Sequence, residues 1–372
     1  LGGAGGWEWK EEGKKVLSEG MVDQNEKRPG AGPGGASLHG EVHRVYPVKV
    51  SPLFQRLMEK PGDPIWRQVM PDERELLDDG PLAMEDPLGE ESRSPVPNLV
   101  HRYPDRVLWI VSHVCAVHCR FCTRKRRWTR PVPLTDGMTR AAEEYISATP
   151  AIRDVLLSGG DPLMLPLEKL HDLCARLRRI PHVRILRIGT RVPFAAPERV
   201  TDELVQVLRT HHPVYMNIHV NHPREISPEA REACARLADA GIPLGSQTVL
   251  LKDVNDDPTV LEELFVELLS LRVRPYYLLQ MDLMKSTAHF RTGIRDGLRI
   301  LQRLRNRTSG LALPQFVVDL PGGYGKVPLL PQAVERIEAD RIVFRNYEGK
   351  ACSYPLDDGE GPELRKLLGL GI

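Results

Sequence analysis

From about residue 105 the chain alternates short apolar runs with amphipathic, charged stretches, and this alternation predicts most of its architecture. The runs "RVLWIVS", "RDVLLSGG", "VRILRIGT", "PVYMNIHV", "IPLGSQTVL" and "VRPYYLLQMD" have the length and apolar content of buried parallel strands. Between them, stretches such as "PLEKLHDLCARLRR" and "SPEAREACARLADAG" repeat apolar residues at helical spacing. Six βα units in series predict an α/β fold, a partial or open (β/α)6 TIM-like barrel with right-handed crossovers over about residues 101–310. In such barrels the chemistry lies at the C-terminal ends of the strands. The polar, glycine-rich pieces fall there: "SGGD" after the second strand, "GTRVP" after the third, "HVNHP" after the fourth, "QTVLLKDVND" at the end of the fifth and "QMD" after the sixth.

The flanks follow other patterns. Residues 1–40 are rich in glycine and proline without apolar periodicity, and are expected to be a flexible leader. Residues 41–100 contain helical-looking pieces interrupted by prolines, which predict an N-terminal helical cap. Residues 311–372 carry "PQFVVDLPGGYGK", "DRIVFRN" and "ACSYPL", the strand-like runs of a C-terminal β-containing extension.

Composition narrows the function classes. The 372 residues hold 51 Lys and Arg against 50 Asp and Glu, a formal charge of +1, so no global field draws the chain to nucleic acid or an anionic membrane. No apolar run approaches the roughly 18 residues of a membrane span, and a cytoplasmic location is expected. Three of the six cysteines cluster and three stand alone (Cys174, Cys234, Cys352), which does not describe a disulfide framework.

The cluster is Cys115, Cys119 and Cys122, C-x3-C-x2-C directly after the first predicted strand. Zinc sites usually add a second ligand pair, and all-cysteine iron-sulfur sites need a fourth thiolate. Within the cluster His118 is the candidate fourth donor, although it lies between the cysteines. A four-iron cubane held by three thiolates leaves one iron open to a small chelating molecule; the plainer alternatives are a zinc knuckle or unpaired thiols. Two other stretches carry chemistry. "SGGDP" offers glycines suited to close backbone approach. "DLPGGYGKVP" places Lys326 in a tight loop, where a lysine near other charges or in a dry pocket can form a Schiff base.

The cysteine spacing after strand one resembles the radical S-adenosylmethionine superfamily. Together, "SPVPNLVHRYPDRVL", "CRFCTRKR", "HFRTG" and "FVVDLPGGYGKVP" resemble the lysine 2,3-aminomutase family over about residues 41–355. The resemblance implies a 4Fe-4S cluster on Cys115, Cys119 and Cys122, S-adenosyl-L-methionine, and pyridoxal 5'-phosphate held by Lys326. It implies further that Arg102, Tyr103 and Arg106 surround the pyridoxal phosphate, and that Ser158, Gly159, Gly160, Asp161, His219 and Gln247 line the S-adenosylmethionine site. Arg124 would grip the substrate α-carboxylate, and Asp282 with Asp319 the distal ammonium. The implied reaction moves the α-amino group of L-lysine to Cβ, giving β-lysine, through a pyridoxal imine and a 5'-deoxyadenosyl radical. A reduced flavodoxin or ferredoxin-type electron donor and a homo-oligomer are the implied partners.

Lys125, Arg126, Arg127 and Arg130 receive no role and are expected on a solvated face. Leu278 and Leu279 stand where some members carry an aromatic, and Lys285 is an extra cation expected near the ammonium site. Cys352 alone stands near the C-terminal end, so the structural zinc of some members is not expected. Rival readings are the same chemistry on arginine, ornithine or glutamate, β-lysine formation for modification of an elongation factor, and a non-catalytic iron-sulfur redox or scaffold protein.

Overall fold

A computed structural model describes residues 38–369, apart from 78, 306, 331 and 347. Nearly all of the expected leader lies outside the described residues. A helix already begins inside its expected bounds, at Leu38–Val45.

The main sheet opens with β1 (Leu99–Tyr103), which pairs antiparallel with β2 (Arg106–Ser112). Five further strands follow in parallel at the expected runs: β3 (Asp154–Gly159), β4 (Ile185–Thr190), β5 (Val214–His219), β6 (Leu244–Leu250) and β7 (Val273–Gln280). A seventh parallel strand, β8 (Gln315–Leu320), continues the sheet, and β9 (Gly325–Pro328) returns antiparallel beside it. The strand order is β1 through β9 without a crossover in sequence, the order of a curled βα barrel wall. The residues expected as one C-terminal extension thus divide between two sheets. β8 and β9 belong to the barrel, while β10 (Val334–Ile337), β11 (Arg341–Arg345) and β12 (Ala351–Pro355) form a separate antiparallel sheet, followed by the helix Glu360–Leu367.

The apolar strands do not bury both faces equally. Along β6, Leu244, Ser246, Thr248 and Leu250 are buried beneath the outer helices, whereas Gln247 and Val249 between them line a cavity. The outer helices include Leu167–Arg178, Pro228–Asp239 and Pro258–Ser270, which set Leu173, Leu177, Leu237, Leu264 and Phe265 against the sheet. Each such side chain contributes roughly 1.5–3 kcal/mol on burial. Their starts are written locally: Ser227 accepts from the Ala230 N–H and Asp257 from the Thr259 N–H, each followed by proline at the first helical position. The prolines of the cap act in the same way. Pro52 and Pro64 open the short helices Pro52–Leu57 and Pro64–Val69 behind Ser51 and Asp63. Phe54, Ile65, Val69 and Met70 of this cap pack with Val117 of the cysteine loop and Ala195, forming a second small core over the barrel mouth. No described helix is long and apolar enough to cross a membrane.

Candidate active site

The loop after β2, the strands of the main sheet and the β8–β9 pair surround a cavity of about 550 Å³. Every residue given a cofactor or substrate role by the resemblance lines it; His118, the candidate fourth donor, does not. Cys115, Cys119 and Cys122 line it with Arg124; Ser158, Gly159, Gly160, Asp161 and His219 do so from strand ends and Gln247 from within β6; Arg102, Tyr103, Arg106, Asp282, Asp319 and Lys326 complete the lining.

Burial, then the neighbouring thiols, pushes Cys115 well above the ordinary thiol value, and burial, then Cys119, pushes Cys122 to about 11. A four-iron cluster takes each of three thiols at its own iron, and three cysteines of one short loop on the cavity wall fit that donor set. Donors already point at the sulfurs: the Arg124 N–H lies 3.4 Å from Cys122 Sγ and Arg191 Nη1 lies 2.7 Å from Cys119 Sγ. His118 turns away from the cavity. Its Nδ1 sits 2.8 Å from the Pro47 carbonyl, its ring stacks on Trp128, and burial pulls its pKa down to about 4.

The glycines of "SGGD" are required by the fold before any ligand is considered. A Cβ on Gly159 would stand 2.4 Å from the Ser112 carbonyl oxygen, and one on Gly160 2.6 Å from that of Val114. Gly159 also has φ +122°, where side chains are strained. The turn therefore lies directly against the start of the cysteine loop. Asp161 is spent on holding it there, accepting from the Thr190 hydroxyl and the Arg191 and Leu163 N–H groups; burial outweighs these bonds and raises its pKa. His219 stacks on Phe121, and burial followed by Arg191 lowers its pKa to about 3, so the ring is neutral.

On the opposite wall Asp319 opposes Lys326 across the β8–β9 pair. Its two oxygens accept from Arg102 Nη2 at 2.6 Å and from Lys326 Nζ. The Tyr103 hydroxyl accepts from the Lys326 N–H at 3.0 Å, and the Arg106 guanidinium lies over the Tyr103 ring, 3.9 Å from its centroid. Gly323 lets the β8–β9 turn settle on the 88–93 segment: a Cβ there would meet the Leu88 carbonyl oxygen at 2.7 Å. Asp282 has no such partners. Among the described residues it makes no ion pair, and burial, then the neighbouring Asp319, pushes its carboxyl up to about 7. Nε of Arg102, Nε of Arg191 and Nδ2 of Asn217, on residues that line the cavity, are also buried without hydrogen-bond partners. A cavity with a lysine, arginine donors and orphaned polar groups fits a polar cofactor such as pyridoxal phosphate.

The basic run departs from expectation. Lys125 is fully buried rather than solvated, 2.5 Å from Glu75 Oε2 and 3.1 Å from the Ser286 carbonyl; burial pulls its pKa down to about 8. Arg120, also fully buried, donates to both Glu75 oxygens at 2.9 and 2.6 Å. Arg126 meets Asp86, Glu90 and Glu91, and Arg127 donates to Oδ1 of Asn98; of the four, Arg130 alone is exposed. Arg124 is held by a residue with no mark in the sequence: Glu90 accepts from its Nε at 2.9 Å and its Nη2 at 2.5 Å, leaving Nη1 on the Gly159 carbonyl at 3.3 Å. Burial alone would raise the Glu90 carboxyl, but Arg124 and Arg126 hold it below the usual range. Lys285 is exposed and paired with Glu85, away from the cavity.

The pattern described as Radical SAM superfamily matches residues 109–264, and that described as Lysine-2,3-aminomutase matches residues 301–363. An L-lysine 2,3-aminomutase of Methanococcus maripaludis is 46% identical over 322 residues, 85% of this chain and 74% of that protein. That of Clostridium subterminale is 47% identical over 311 residues, 82% and 74% of the two chains. A glutamate 2,3-aminomutase of Clostridioides difficile is 40% identical over 331 residues, 88% and 78% of the two.

Proposed function

We propose the following reaction for this chain, which belongs to the lysine 2,3-aminomutase family of radical S-adenosylmethionine enzymes: the α-amino group of L-lysine moves to Cβ, giving β-lysine. When bound, the reduced four-iron cluster and S-adenosylmethionine supply abstraction of a hydrogen atom, and pyridoxal phosphate supplies a carbonyl that carries the migrating nitrogen. Cys115, Cys119 and Cys122 would hold the cluster. Ser158, Gly159, Gly160, His219 and Gln247 would line the S-adenosylmethionine portion, with Asp161 fixing the turn. Lys326 would bind the pyridoxal carbonyl, with Arg102, Tyr103 and Arg106 around it.

The chain's own groups then select the substrate. Arg124 would take the α-carboxylate, which must share or displace Glu90 at the guanidinium fork. Asp282 and Asp319 would take the distal ammonium. The observation that carries this reading is Asp282, a carboxyl group inside the cavity with no ion-pair partner of its own among the described residues, beside an Asp319 that already accepts an ammonium from Lys326. Drawing Lys326 toward a carbonyl frees one Asp319 oxygen, so a lysine ammonium arriving between the two carboxylates lets Asp282 give up its proton. The apolar walls and the cap exclude water around the reacting carbons. The partners we infer are a reduced flavodoxin or ferredoxin-type electron donor and further copies of this chain.

Anaerobic turnover of lysine, arginine, ornithine and glutamate by the reconstituted protein tests the reading, with products separated by chromatography. β-Lysine is the expected product. Turnover of glutamate in preference to lysine would overturn the role given to Asp282 and Asp319.

A further inference from the structure

Arg191 leaves the C-terminal end of β4 and enters the cavity from beneath the cysteine loop. Its Nη1 lies 2.7 Å from Cys119 Sγ. Its Nη2 donates to Gln68 Oε1 at 2.6 Å and to Glu225 Oε2 at 2.9 Å, and the guanidinium lies over the Phe54 ring at 4.9 Å. The side chain is 7% exposed. Its anchors are themselves tied down. Glu225 also accepts from Gln68 Nε2 and the Asn221 and His222 N–H groups, and the Gln68 carbonyl accepts from the Arg120 N–H. The guanidinium therefore cannot swing away from the sulfur without breaking a buried network that reaches the helix Pro64–Val69 of the cap.

A hydrogen bond to a cluster-bound thiolate withdraws charge from the sulfur, and a fixed cation beside a cluster favours the state with one more electron. Both effects are larger where water is excluded. Glu225 offsets part of the guanidinium's field, but it lies on the far side, at Nη2, and leaves the donor at Nη1 aimed at Cys119. We propose that Arg191 is a positioning residue that raises the reduction potential of the iron-sulfur cluster by donating from Nη1 to Cys119 Sγ, with Gln68 and Glu225 holding it in register. The inference rests on the reading that Cys115, Cys119 and Cys122 carry that cluster. The redox step is the addition of one electron from an external one-electron donor to the cluster; Arg191 keeps its protons throughout.

The test compares wild type, Arg191→Lys, Arg191→Gln and Gln68→Leu, each reconstituted anaerobically and measured for iron content and for midpoint potential by EPR titration without S-adenosylmethionine. At wild-type iron content the midpoint is expected to move to more negative values, most in Arg191→Gln, less in Arg191→Lys, least in Gln68→Leu. A fully loaded Arg191→Gln or Arg191→Lys protein with the wild-type midpoint would overturn the proposal, because a residue that only supports the fold changes yield or melting temperature instead. Wild-type protein labelled with 15N in its arginine guanidinium groups gives an answer even where the glutamine variant fails to hold a cluster. Its reduced cluster should show a 15N coupling by pulsed EPR that Arg191→Lys loses, and absence of the coupling in wild type counts against the proposal. Failure of the wild-type chain to assemble a four-iron cluster would overturn the cluster reading itself, a result distinct from an assembled cluster indifferent to Arg191.

Discussion

Two buried ion-pair sites grow from the same short stretch of sequence and do different work. Arg120 and Lys125 share Glu75 in a space with no exposure at all, while Arg124, one position away from Lys125, meets Glu90 on the wall of the cavity. The first site is sealed and complete: Glu75 takes three donor bonds from the two cations and a fourth from the Asp72 N–H, so it staples the cap to the cysteine loop. The second is open on one side, and its arginine has an edge within reach of a ligand. A buried cation is evidence of function only where its surroundings leave something unfinished.

Substitutions separate the two sites. Glu75→Gln leaves two buried cations without their anion, and should cost about 3–5 kcal/mol of stability, read as a lowered melting midpoint, with little change in activity per folded molecule. Arg124→Lys should do the reverse, lowering kcat/KM for lysine about 100-fold, or about 2.7 kcal/mol, with a smaller change in melting. An Arg124→Lys protein with wild-type kcat/KM would place Arg124 with the sealed site.

The ammonium end of the cavity gives a smaller, pH-dependent effect. The folded, ligand-free protein keeps a proton on Asp282 up to about pH 7, whereas the unfolded chain loses it near the ordinary value of 3.8. Stability should therefore fall as pH rises between those values, and Asp282→Asn should abolish that loss. Binding a cationic substrate requires the carboxylate, so KM for lysine should drop roughly tenfold per unit as pH approaches 7 from below, a slope that Asp282→Asn flattens. A KM independent of pH across that window would remove Asp282 from the ammonium site. The smallest effect belongs to Arg130→Ala, at an exposed position, where urea titration should show a change within about 0.5 kcal/mol.

Much of the barrel was legible because its signals are local. The apolar runs of β2 to β7, the serine and aspartate caps and the prolines behind them each act within a few residues. β8 was read as a run beyond the barrel because its place in the sheet depends on β7, across the helix Ile294–Leu304. β1 was missed as a strand because its five residues include His101, Arg102 and Tyr103, which no alternation marks as buried. The candidate site was legible as a set of residue types, and those residues do line one cavity. Their partners were not. Glu90 meets Arg124 across 34 positions, Arg191 meets Cys119 across 72 and Gln68 across 123, and nothing near any of these residues in the chain announces the pairing.

The sequence by itself determined where strands and helices start, which thiols cluster and which cations and carboxylates were available, because each depends on neighbours along the chain or on residue type. Only the tertiary structure decided which cations were sealed and which faced the cavity, that Asp319 was paired with two cations while Asp282 made no ion pair among the described residues, and that Arg191 reached a cysteine sulfur. Those outcomes depend on burial and on distances between segments brought together by the sheet. Both quantities come into being only when the apolar faces of the strands are covered and the loops at their ends are forced into one space.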